Sequence, residues 1–393
     1  MEIRLILEKI IILYAIDNML CSKCDFFNLD LQKKDNNIHN MTRRTTIYDI
    51  AKELDITAAS VSRALNNNPK ISESTRKLVI ETAAKMNYKQ NKLALALRSG
   101  KSFNVGVIVP RIDSNFFASV IRGIEEELYA HKYNVIICQT HEDEKREFEN
   151  INTLLNAQVD GILMSVSNIS SEDLSSDNDK IIKRVVEKNV PLIFFDRKKN
   201  IEGVSSVTIN DFEVSYLATK HLIDQGCSRI AHFKGNQNLE IFKNRYNGYK
   251  QALIDNGIEF DEDYVVQTKS NINEGADAVK ALMKLKFPPD ALFSSGDFAA
   301  LGAIQQLKSD GIRIPEDFCV VGFGNEPFTD FMELPMSTVN QVPLEMGKMA
   351  AKVFLERINN KGSVKIANQV VLTSELNIRK SSLRTVILQP ESE

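Results

Sequence analysis

The apolar positions between residues 46 and 90 recur at helical spacing in three short stretches. Each stretch begins at a hydroxyl residue that can cap a helix, namely Thr46, Thr57 and Ser72. Asp49, three residues after Thr46, completes a capping box. The pattern predicts three helices, of which the first two are joined by a tight turn and the third packs behind them, as in a helix-turn-helix unit.

From Asn104 onward the pattern changes to short apolar runs that alternate with longer stretches of helical period. The predicted strands are 105–109, 135–138, 161–165, 192–196, 230–233, 291–294 and 319–322. The predicted helices between them include 117–130, 181–188, 216–225, 249–256 and 299–309. Strands that alternate with helices indicate parallel sheets covered on both faces. Because this part is long for one open sheet, we expect two similar half-domains.

The first forty residues match neither pattern. Their longest uninterrupted apolar run, Ile10 to Ile16, is far shorter than the roughly 20 residues that a membrane-spanning helix needs. Acidic residues neutralise the basic start and no small-residue cleavage site follows, so we expect no secretion signal. Residues 29–40 have a composition typical of disorder, and Met41, directly before the basic segment, is a candidate start of the protein.

Charge is distributed unevenly, although the whole chain of 393 residues has a formal net charge of only -3. Twelve basic and five acidic residues fall between Thr42 and Ser102. A compact basic segment joined to an acidic body is what a protein needs when one part faces phosphate groups and the other does not. An ordinary solvated surface is the alternative that charge alone leaves open.

The reactive residue types favour no enzyme and imply no cofactor. Five cysteines in a chain of this length indicate free thiols in a reducing compartment, so we expect a cytoplasmic protein. Cys21 and Cys24 have the spacing of a metal or redox motif, but no second ligand pair follows, and coincidence is preferred. The five histidines form no ligand spacing, and we find no nucleophile-base grouping and no phosphate-binding glycine loop.

The second predicted helix begins with small and hydroxyl side chains. Short side chains at Ala58, Ala59 and Ser60 would let it sit deep in the major groove of DNA, where Arg63 can make two hydrogen bonds to a guanine. Hydroxyls at helix starts favour phosphate oxygens and position a protein without specifying a sequence. Such hydroxyls are present at Tyr48, Thr57, Ser72 and Thr75. Taken singly, each residue is equally well explained as a helix former or a cap, so only their joint arrangement indicates DNA.

That joint arrangement closely resembles the DNA-binding headpiece of the lactose and galactose repressor family (LacI/GalR). The matching segments are 46–66 (TIYDIAKELDITAASVSRALN), 71–76 (ISESTR), 86–88 (MNY) and 91–98. Further segments look like the effector domain of that family, which is similar to periplasmic binding proteins. These segments are 159–161, 195–197, 245–249, 296–302, 314–317, 321–323 and 346–347. The resemblance covers Met41 to about Arg379.

The resemblance implies an N-terminal all-α helix-turn-helix headpiece and an α/β periplasmic-binding-protein-like effector domain of two doubly wound subdomains. The expected order is an extension over 1–41, the headpiece over 42–90, a hinge helix and linker over 91–102, the effector-binding and dimerisation domain over 103–380 and a tail over 381–393. The first subdomain would comprise about 103–208 and 342–366, and the second about 209–341 and 367–380.

In this family the second helix contacts the DNA bases. Hydroxyl side chains near that helix contact the phosphates. Carried over by position, the base contacts are Ala58, Ala59, Ser62 and Arg63, and the residues near phosphates are Tyr48, Thr57, Ser60, Asn66, Ser72 and Thr75. The hinge residues Asn91, Ala94 and Leu97 are expected to contact DNA, with Leu97 as the wedge that kinks the minor groove. An isolated helix of this length is marginal in water, which suits a hinge that orders only on DNA. A plain linker is the alternative.

The resemblance also implies an effector site in the cleft between the subdomains. Phe116 would be an apolar platform, and Asp196 and Gln341 would be hydrogen-bonding groups. Arg245 would be the principal charged contact, for hydroxyls or a carboxylate. A salt bridge between the subdomains is the alternative role of Arg245.

The chain departs from the family at three positions. Gly296 stands where Asn is frequent, and Gly324 stands where Asp is frequent, and both changes remove polar groups that bind sugars. The sequence therefore favours a neutral sugar less than the family alone does, and the expected effector is a sugar, a sugar acid or a related metabolite. Asn325 or Glu326 is expected to compensate. Asp55 stands where a turn glycine is common.

We therefore expect a sequence-specific DNA-binding transcription regulator, a repressor that binds a palindromic operator as a homodimer under the control of a small carbohydrate-like effector. Ligand in the cleft would shift the headpieces and the hinge with a coupling of roughly 1–3 kcal/mol. The family includes ligand-released and ligand-activated repressors, and release is favoured. An exported solute-binding protein is the alternative, but it leaves the basic helix-turn-helix without a purpose. Without leucine heptads in the tail, we favour a dimer over a tetramer.

Overall fold

The computed structural model describes residues 45–89, 100–167, 177–359 and 367–384. The contacts divide the chain between Lys92 and Leu93 into two units, and each is described by itself. The predicted hinge residues Asn91, Ala94 and Leu97 lie outside the described residues, as does the N-terminal extension.

The smaller unit contains the three predicted helices, α1 (Ile47–Glu53), α2 (Ala58–Leu65) and α3 (Glu73–Lys85). They enclose a small core of Ile50, Ala51, Val61, Ala64, Val79 and Ala83. Each of these apolar residues falls on the inner stripe of its helix, because side chains three and four positions apart lie on the same face.

Local hydrogen bonds set where these helices begin. The Asp49 carboxylate accepts the Thr46 backbone N–H over 2.8 Å at the start of α1. Thr57 Oγ1 accepts the Ser60 backbone N–H over 3.1 Å, and Ser72 Oγ accepts that of Thr75 over 3.3 Å. The turn between α1 and α2 holds Asp55 at φ 51°, a left-handed conformation that suits glycine best and that Asp tolerates.

The larger unit is built on two six-stranded sheets. The first contains β1 (Asn104–Val109), β2 (Asn134–Gln139), β3 (Gly161–Met164), β4 (Leu192–Phe195), β5 (Ser205–Ile209) and β11 (Gln369–Leu372), in the order β11-β5-β4-β3-β1-β2. The second contains β6 (Ile230–Lys234), β7 (Val265–Gln267), β8 (Ala291–Ser294), β9 (Cys319–Phe323), β10 (Ser337–Asn340) and β12 (Glu375–Asn377), in the order β12-β10-β9-β8-β6-β7. All neighbouring strands are parallel except β10 and β12. The predicted α/β architecture of two doubly wound subdomains is confirmed.

Helices connect the strands within each subdomain. Those of the first are α4 (Asn115–Ala130), α5 (Glu144–Asn156), α6 (Asp177–Glu187) and α12 (Pro343–Asn359). Those of the second are α7 (Asp211–Asp224), α8 (Glu240–Asp255), α9 (Ile272–Leu282), α10 (Asp297–Ser309) and α11 (Phe328–Phe331), with a 3-10 turn at Glu262–Tyr264. The strands β3, β4, β8 and β9 are buried along their whole length, which is why they stand out in the sequence as continuous apolar runs.

Two of the expected domain limits are wrong. Strand β11 pairs in parallel with β5, so residues 369–372 belong to the first subdomain, which had been expected to end at 366. The chain makes its last crossing after Leu372 and enters the second sheet at Glu375. The physical reason is that β5 needs hydrogen-bond partners on its outer edge, and β11 supplies them.

The expected tail also begins too early. Ser381 and Ser382 are fully buried against the second subdomain. Ser381 Oγ donates to the Val320 carbonyl over 2.6 Å and accepts the Ser337 N–H over 2.8 Å, and Ser382 Oγ lies 2.8 Å from His221 Nε2. Small hydroxyl side chains satisfy buried backbone groups here, so the domain continues at least to Arg384.

No helix in the part of the chain that the structure describes has the length and apolar character needed to cross a bilayer.

Candidate functional site

Helix α2 turns one continuous side toward solvent. The predicted base-contacting residues Ala59, Ser62 and Arg63 fall on that side together with Asn66, opposite the side that packs into the core. Ala58, the fourth of them, lies at its margin and packs against the core. Ala59, Arg63 and Asn66 are exposed, and Ala58 and Ser62 are half-buried. Small residues at the helix start and a long basic side chain one turn later form a surface that fits a major groove.

The two longer side chains on this side are held differently. Asn66 Nδ2 donates to the Ser62 carbonyl over 2.7 Å, so its amide is tied to the end of the helix. The Arg63 guanidinium has neither a hydrogen bond nor an ion pair with any described residue. Arg63 is therefore free to make contacts outside the chain.

The predicted phosphate contacts surround this surface. Tyr48 is 71% exposed on α1. The hydroxyls of Thr57 and Ser60 lie 2.9 Å apart at the start of α2, and those of Ser72 and Thr75 lie 2.8 Å apart at the start of α3. Helix starts present backbone N–H groups and positive partial charge, which is favourable for a phosphate.

A cleft of about 780 Å³ lies between the two subdomains of the larger unit. Most of its lining residues come from segments at the carboxyl ends of strands in both sheets, although not every residue of these segments faces the cleft. These segments are 111–117 after β1, 196–197 after β4, 235–245 after β6, 267–270 after β7, 295–298 after β8 and 323–326 after β9. The carboxyl edge of parallel strands is where ligands bind in open α/β sheets.

Four of the five predicted effector residues line this cleft, namely Phe116, Asp196, Arg245 and Gln341. All four are largely buried, with exposures between 4% and 9%. Phe116 and Asp196 come from the first subdomain and Arg245 from helix α8 of the second, while Gln341 lies between β10 and α12, where the chain crosses between subdomains. A ligand that touched all four would contact both walls.

Arg245 is fixed from three sides. Its Nε donates to Asp211 Oδ1 over 2.7 Å and its Nη1 donates to the Ser295 carbonyl over 3.1 Å. The guanidinium carbon lies 3.6 Å from the centre of the Phe323 ring. The partner of Arg245 is thus Asp211 at the start of α7 in the same subdomain, and no described residue of the first subdomain forms a salt bridge with it. Nη2 remains without a hydrogen bond to a described residue.

Asp196 is a buried carboxylate at the end of β4, held at φ 59°. Burial raises the pKa of Asp196 to about 6, and the positive charges of Arg197 and Arg245 oppose this shift. Ser165 Oγ donates to its Oδ2 over 3.4 Å. The group can therefore change its protonation state close to neutral pH.

Asn325, the fifth predicted effector residue, is not among the residues that line the cleft. Its Oδ1 accepts a hydrogen bond from Arg379 Nη2 over 3.0 Å. Its neighbour Glu326, the other candidate, lines the cleft and is half-buried. The turn that contains both residues holds Asn325 at φ 52°, and it is Glu326, not Asn325, that lines the cleft.

Other polar groups lie beside Gly296 and Gly324, the two glycines that stand where the family often has a polar residue. A Cβ at Gly296 would lie 2.8 Å from Ser270 Oγ, and a Cβ at Gly324 would lie 3.3 Å from Asp297 Oδ2. Ser270 and Asp297 both line the cleft. Polar groups are thus present near the two positions where the sequence had indicated their loss.

Asp297 starts helix α10 and is 2% exposed. Thr338 Oγ1 donates to its Oδ1 over 2.6 Å, and the Glu326 backbone N–H donates to its Oδ2 over 2.8 Å. Burial raises the pKa of Asp297 to about 6, and these two hydrogen bonds oppose the shift.

Sequence reasoning missed Thr268, Ser270 and Asp297 as cleft residues. Thr268 and Ser270 follow β7, a three-residue strand whose short apolar run gave no strand signal. Asp297 lies in a segment that had been matched to the family, and its position three residues after the end of the predicted strand 291–294 was the available signal.

Comparison with known proteins agrees with this architecture. Residues 46–91 match the family model described as bacterial regulatory proteins of the lacI family. Residues 102–375 match the model described as periplasmic binding proteins and sugar binding domain of the LacI family.

Individual relatives extend along most of the chain. Catabolite control protein A of Priestia megaterium is 31% identical over 315 residues, which are 80% of this chain and 92% of that protein. The structure of the transcriptional regulator CelR in complex with cellobiose is 26% identical, covers 86% of this chain and 100% of its own, and superposes with a TM-score of 0.63.

A structure of the lac repressor dimer bound to operator and an anti-inducer is 21% identical, covers 87% of this chain and 100% of its own, and has a TM-score of 0.77. At that identity it supports the fold alone. The family models cover both units, and the chain therefore belongs to the LacI family of bacterial transcriptional regulators.

Proposed function

We propose that this LacI-family regulator is a homodimeric repressor that holds a near-palindromic operator through helix α2 and releases it when a neutral carbohydrate binds the cleft. We also propose that it acts in the cytoplasm and catalyses no reaction. The observation that carries the proposal is the juxtaposition in the cleft of Arg245, which is already neutralised by Asp211, with the buried carboxyl groups of Asp196 and Asp297.

The proposed DNA contacts follow from the solvent-facing side of α2. Arg63 would bond the edge of a guanine, and Ala59 and Ser62 would contact neighbouring bases, because these side chains share one side of the helix. Ala58, at the margin of that side, stays assigned to a base contact by family position. Tyr48, Thr57, Ser60, Asn66, Ser72 and Thr75 would contact phosphates. Asn91, Ala94 and Leu97, outside the described residues, stay assigned to the minor groove by family position.

A neutral ligand is supported by the charges on the cleft. Its three arginines are each paired with a carboxylate, over 2.8 Å for Arg111 with Asp113, 2.7 Å for Arg197 with Glu142 and 2.7 Å for Arg245 with Asp211. Asp196, Asp297 and Glu326 add negative charge or, when protonated, hydrogen-bond donors. An anionic sugar would meet no uncompensated arginine, whereas hydroxyl groups can donate to carboxylates and accept from Arg245 Nη2. Lys269, the other basic residue of the lining, is exposed, and its backbone N–H and its charge both help to lower the pKa of Glu274.

Within the cleft, Phe116 would provide an apolar face for a sugar ring and Gln341 a further hydrogen-bonding group. Glu326 takes the role that had been given to Asn325. The relative CelR is described in complex with cellobiose, which supports a carbohydrate as the ligand class.

The proposed control is a two-state equilibrium. The subdomains are connected by crossings near residues 210, 341 and 373, so a ligand that contacts both walls stabilises one relative orientation of them. A coupling of roughly 1–3 kcal/mol between the cleft and the DNA would change operator affinity about 5–150-fold.

The test begins with capture of genomic fragments by the purified full-length chain, followed by titration of the recovered site at fixed salt. Neutral mono- and disaccharides are compared with the sugar acids of the same size. The proposal is supported if a neutral sugar releases the wild-type protein from the operator but no longer releases Arg245→Gln. The variant Lys243→Gln, at an exposed position of the same helix, is the control and should still be released. Release by sugar acids alone would overturn the neutral-ligand assignment, and absence of any enriched site would favour a solute-binding role.

A further inference from the structure

An aspartate directly before β3 holds the residues that lead into β1. The backbone N–H of Ser102 donates to Asp160 Oδ1 over 2.7 Å, and that of Phe103 donates to Asp160 Oδ2 over 2.9 Å. Ser102 Oγ donates to the same Oδ1 over 3.0 Å. One carboxylate thus accepts hydrogen bonds from two consecutive residues that are far from it in sequence. We call Asp160, Ser102 and Phe103 the linker clamp, because Ser102 ends the expected linker 91–102.

The backbone at the clamp is held in one conformation. Phe103 has φ 54°, in the left-handed region that a phenylalanine rarely adopts. Its carbonyl accepts the backbone N–H of Asn134 over 2.8 Å, and its ring lies 5.4 Å from that of Tyr133. The Asp160 N–H donates to the Asn104 carbonyl over 2.8 Å. Because such a conformation persists only where its surroundings determine it, the clamp fixes the direction of the chain at the end of the linker.

The clamp and the cleft lie at opposite ends of the same strands. Asp160 comes directly before β3, and Ser165, directly after β3, donates through Oγ to the cleft residue Asp196 over 3.4 Å. Strand β1 likewise runs from the clamped residues to the cleft segment 111–117. The two strands pair in parallel and are almost wholly buried. A packed pair of strands therefore connects the end of the linker to one wall of the cleft.

The second subdomain contains the corresponding arrangement. Asp290 comes directly before β8, as Asp160 comes directly before β3. Its carboxylate accepts the backbone N–H groups of Ser228 and Arg229 over 3.1 and 2.9 Å, and Ser228 Oγ donates to it over 3.2 Å. The two aspartates thus hold the same step of the fold. They differ in what precedes it, since Ser228 follows α7 of the same subdomain, whereas Ser102 follows the linker from the headpiece.

We propose that Asp160 is a positioning residue for operator binding, which ties the end of the linker to the first subdomain so that a change in that subdomain's orientation reaches the headpiece. An ionised carboxylate suits this role, because it only accepts hydrogen bonds and can accept several strong ones at once. Asp160 does not line the cleft, so its effect passes through the linker. Two half-sites must be spanned by two linkers for this effect to appear, so the assignment rests on the proposed homodimeric function.

The test compares Asp160→Asn with Asp290→Asn in the full-length chain. Asn has nearly the shape of Asp, but it replaces one acceptor oxygen with an NH2 donor that faces another donor. Each variant therefore weakens its hydrogen bonds without leaving a cavity. Since both aspartates hold the same step of the fold, a merely structural effect should appear in both variants, and thermal unfolding measures its size in each.

The first readout is the preference for one distance between the two half-sites. One inserted base pair moves the half-sites about 3.4 Å apart and turns them by about a tenth of a helical turn, which a firmly held linker tolerates poorly. The wild-type chain and Asp290→Asn should prefer one spacing by the same factor. In Asp160→Asn this factor should fall by about 2–30-fold, the range over which residues outside two linked sites alter the coupling between them.

Two further readouts separate the linker from the cleft. Trypsin should cleave after Lys101 several-fold faster in Asp160→Asn than in Asp290→Asn, because the linker end is no longer held. The ratio of operator affinities without and with a releasing sugar should fall toward one in Asp160→Asn alone. The affinity for that sugar without DNA, measured by titration calorimetry, should be the same in both variants and in the wild type.

The proposal is overturned if Asp160→Asn keeps the wild-type spacing preference or the wild-type rate of cleavage after Lys101. Equal changes in Asp290→Asn would also overturn it, since the aspartate would then serve stability alone, and so would a weaker affinity for the sugar in Asp160→Asn only. Neither the spacing comparison nor the proteolysis uses a ligand. Failure of every sugar to release the wild-type chain would therefore count against the proposed control by the cleft and not against Asp160.

Discussion

Arg245 and Asp211 form an ion pair of 2.7 Å in which each side chain is only 5% exposed. Helix α8 supplies the arginine and the first residue of α7 supplies the carboxylate. The pair neutralises the principal cation of the cleft before any ligand arrives. It also fixes the plane of the guanidinium against Phe323, so that Nη2 is presented in one orientation.

Asp211→Ala should lower the free energy of unfolding by about 3–5 kcal/mol, because it leaves a buried guanidinium without its counter-charge. Asp224→Ala is the matched control on the same helix. It removes a 2.7 Å pair with Lys220 whose side chains are 41% and 54% exposed, and should cost less than about 1 kcal/mol. Urea unfolding at pH 7 measures both, and equal losses would contradict the role assigned to burial.

The buried carboxyl group of Asp297 should make stability depend on pH between about 4 and 6. Its pKa in the folded state is about 6, whereas an Asp in the unfolded chain has a pKa of about 4. The folded state therefore holds this proton more tightly, and its contribution to stability is present below pH 4 and is lost as pH rises through 6.

Thr338→Val should raise the pKa of Asp297 further, because it removes the 2.6 Å hydrogen bond that stabilises the carboxylate. Carboxyl carbon NMR titration measures this directly. The exposed Asp317, whose pKa is lowered by its hydrogen bond with Arg313, is the internal control and should not move. A fall in the Asp297 pKa would show that Thr338 does not act as the donor described.

Gly248→Ala should destabilise the second subdomain by about 1–3 kcal/mol, since an added Cβ would lie 2.2 Å from the Phe212 carbonyl oxygen. Helices α7 and α8 approach each other closely at this point, and a methyl group must separate them. Asn247→Ala, at the neighbouring exposed position of α8, is the control and should change stability by less than about 0.5 kcal/mol. Thermal unfolding followed by circular dichroism compares them.

Arg63→Ala should weaken operator binding by about 1–3 kcal/mol and relax the preference for one base pair, because a base contact carries sequence information. Thr75→Ala, which removes a hydroxyl at the start of α3, should weaken binding to all sequences alike. Fluorescence anisotropy with the operator and with single-base variants, at one salt concentration, separates the two patterns. A uniform loss for Arg63→Ala would remove it from the base contacts.

Much of the fold could be predicted because the burial of an element determines the order of apolar and polar residues along it. The headpiece helices begin at Thr46, Thr57 and Ser72 as expected, since caps and apolar stripes are properties of neighbouring residues. The strands that were found are mostly buried along their length, and the exception is the exposed edge strand β2. Strand β5, which is Ser-Ser-Val-Thr-Ile, and strand β10, which is Ser-Thr-Val-Asn, were missed because their hydroxyl residues dilute the apolar signal.

The sequence by itself determined the division into a basic helical headpiece and an α/β effector domain, because hydrophobic periodicity and charge are both local. It also identified four residues of the cleft through their positions in the family pattern. Only the tertiary structure decided that Asp211 is the partner of Arg245 and that Glu326, rather than Asn325, lines the cleft. Those outcomes depend on turns and strand order that bring together residues dozens of positions apart, and no local pattern records such distances.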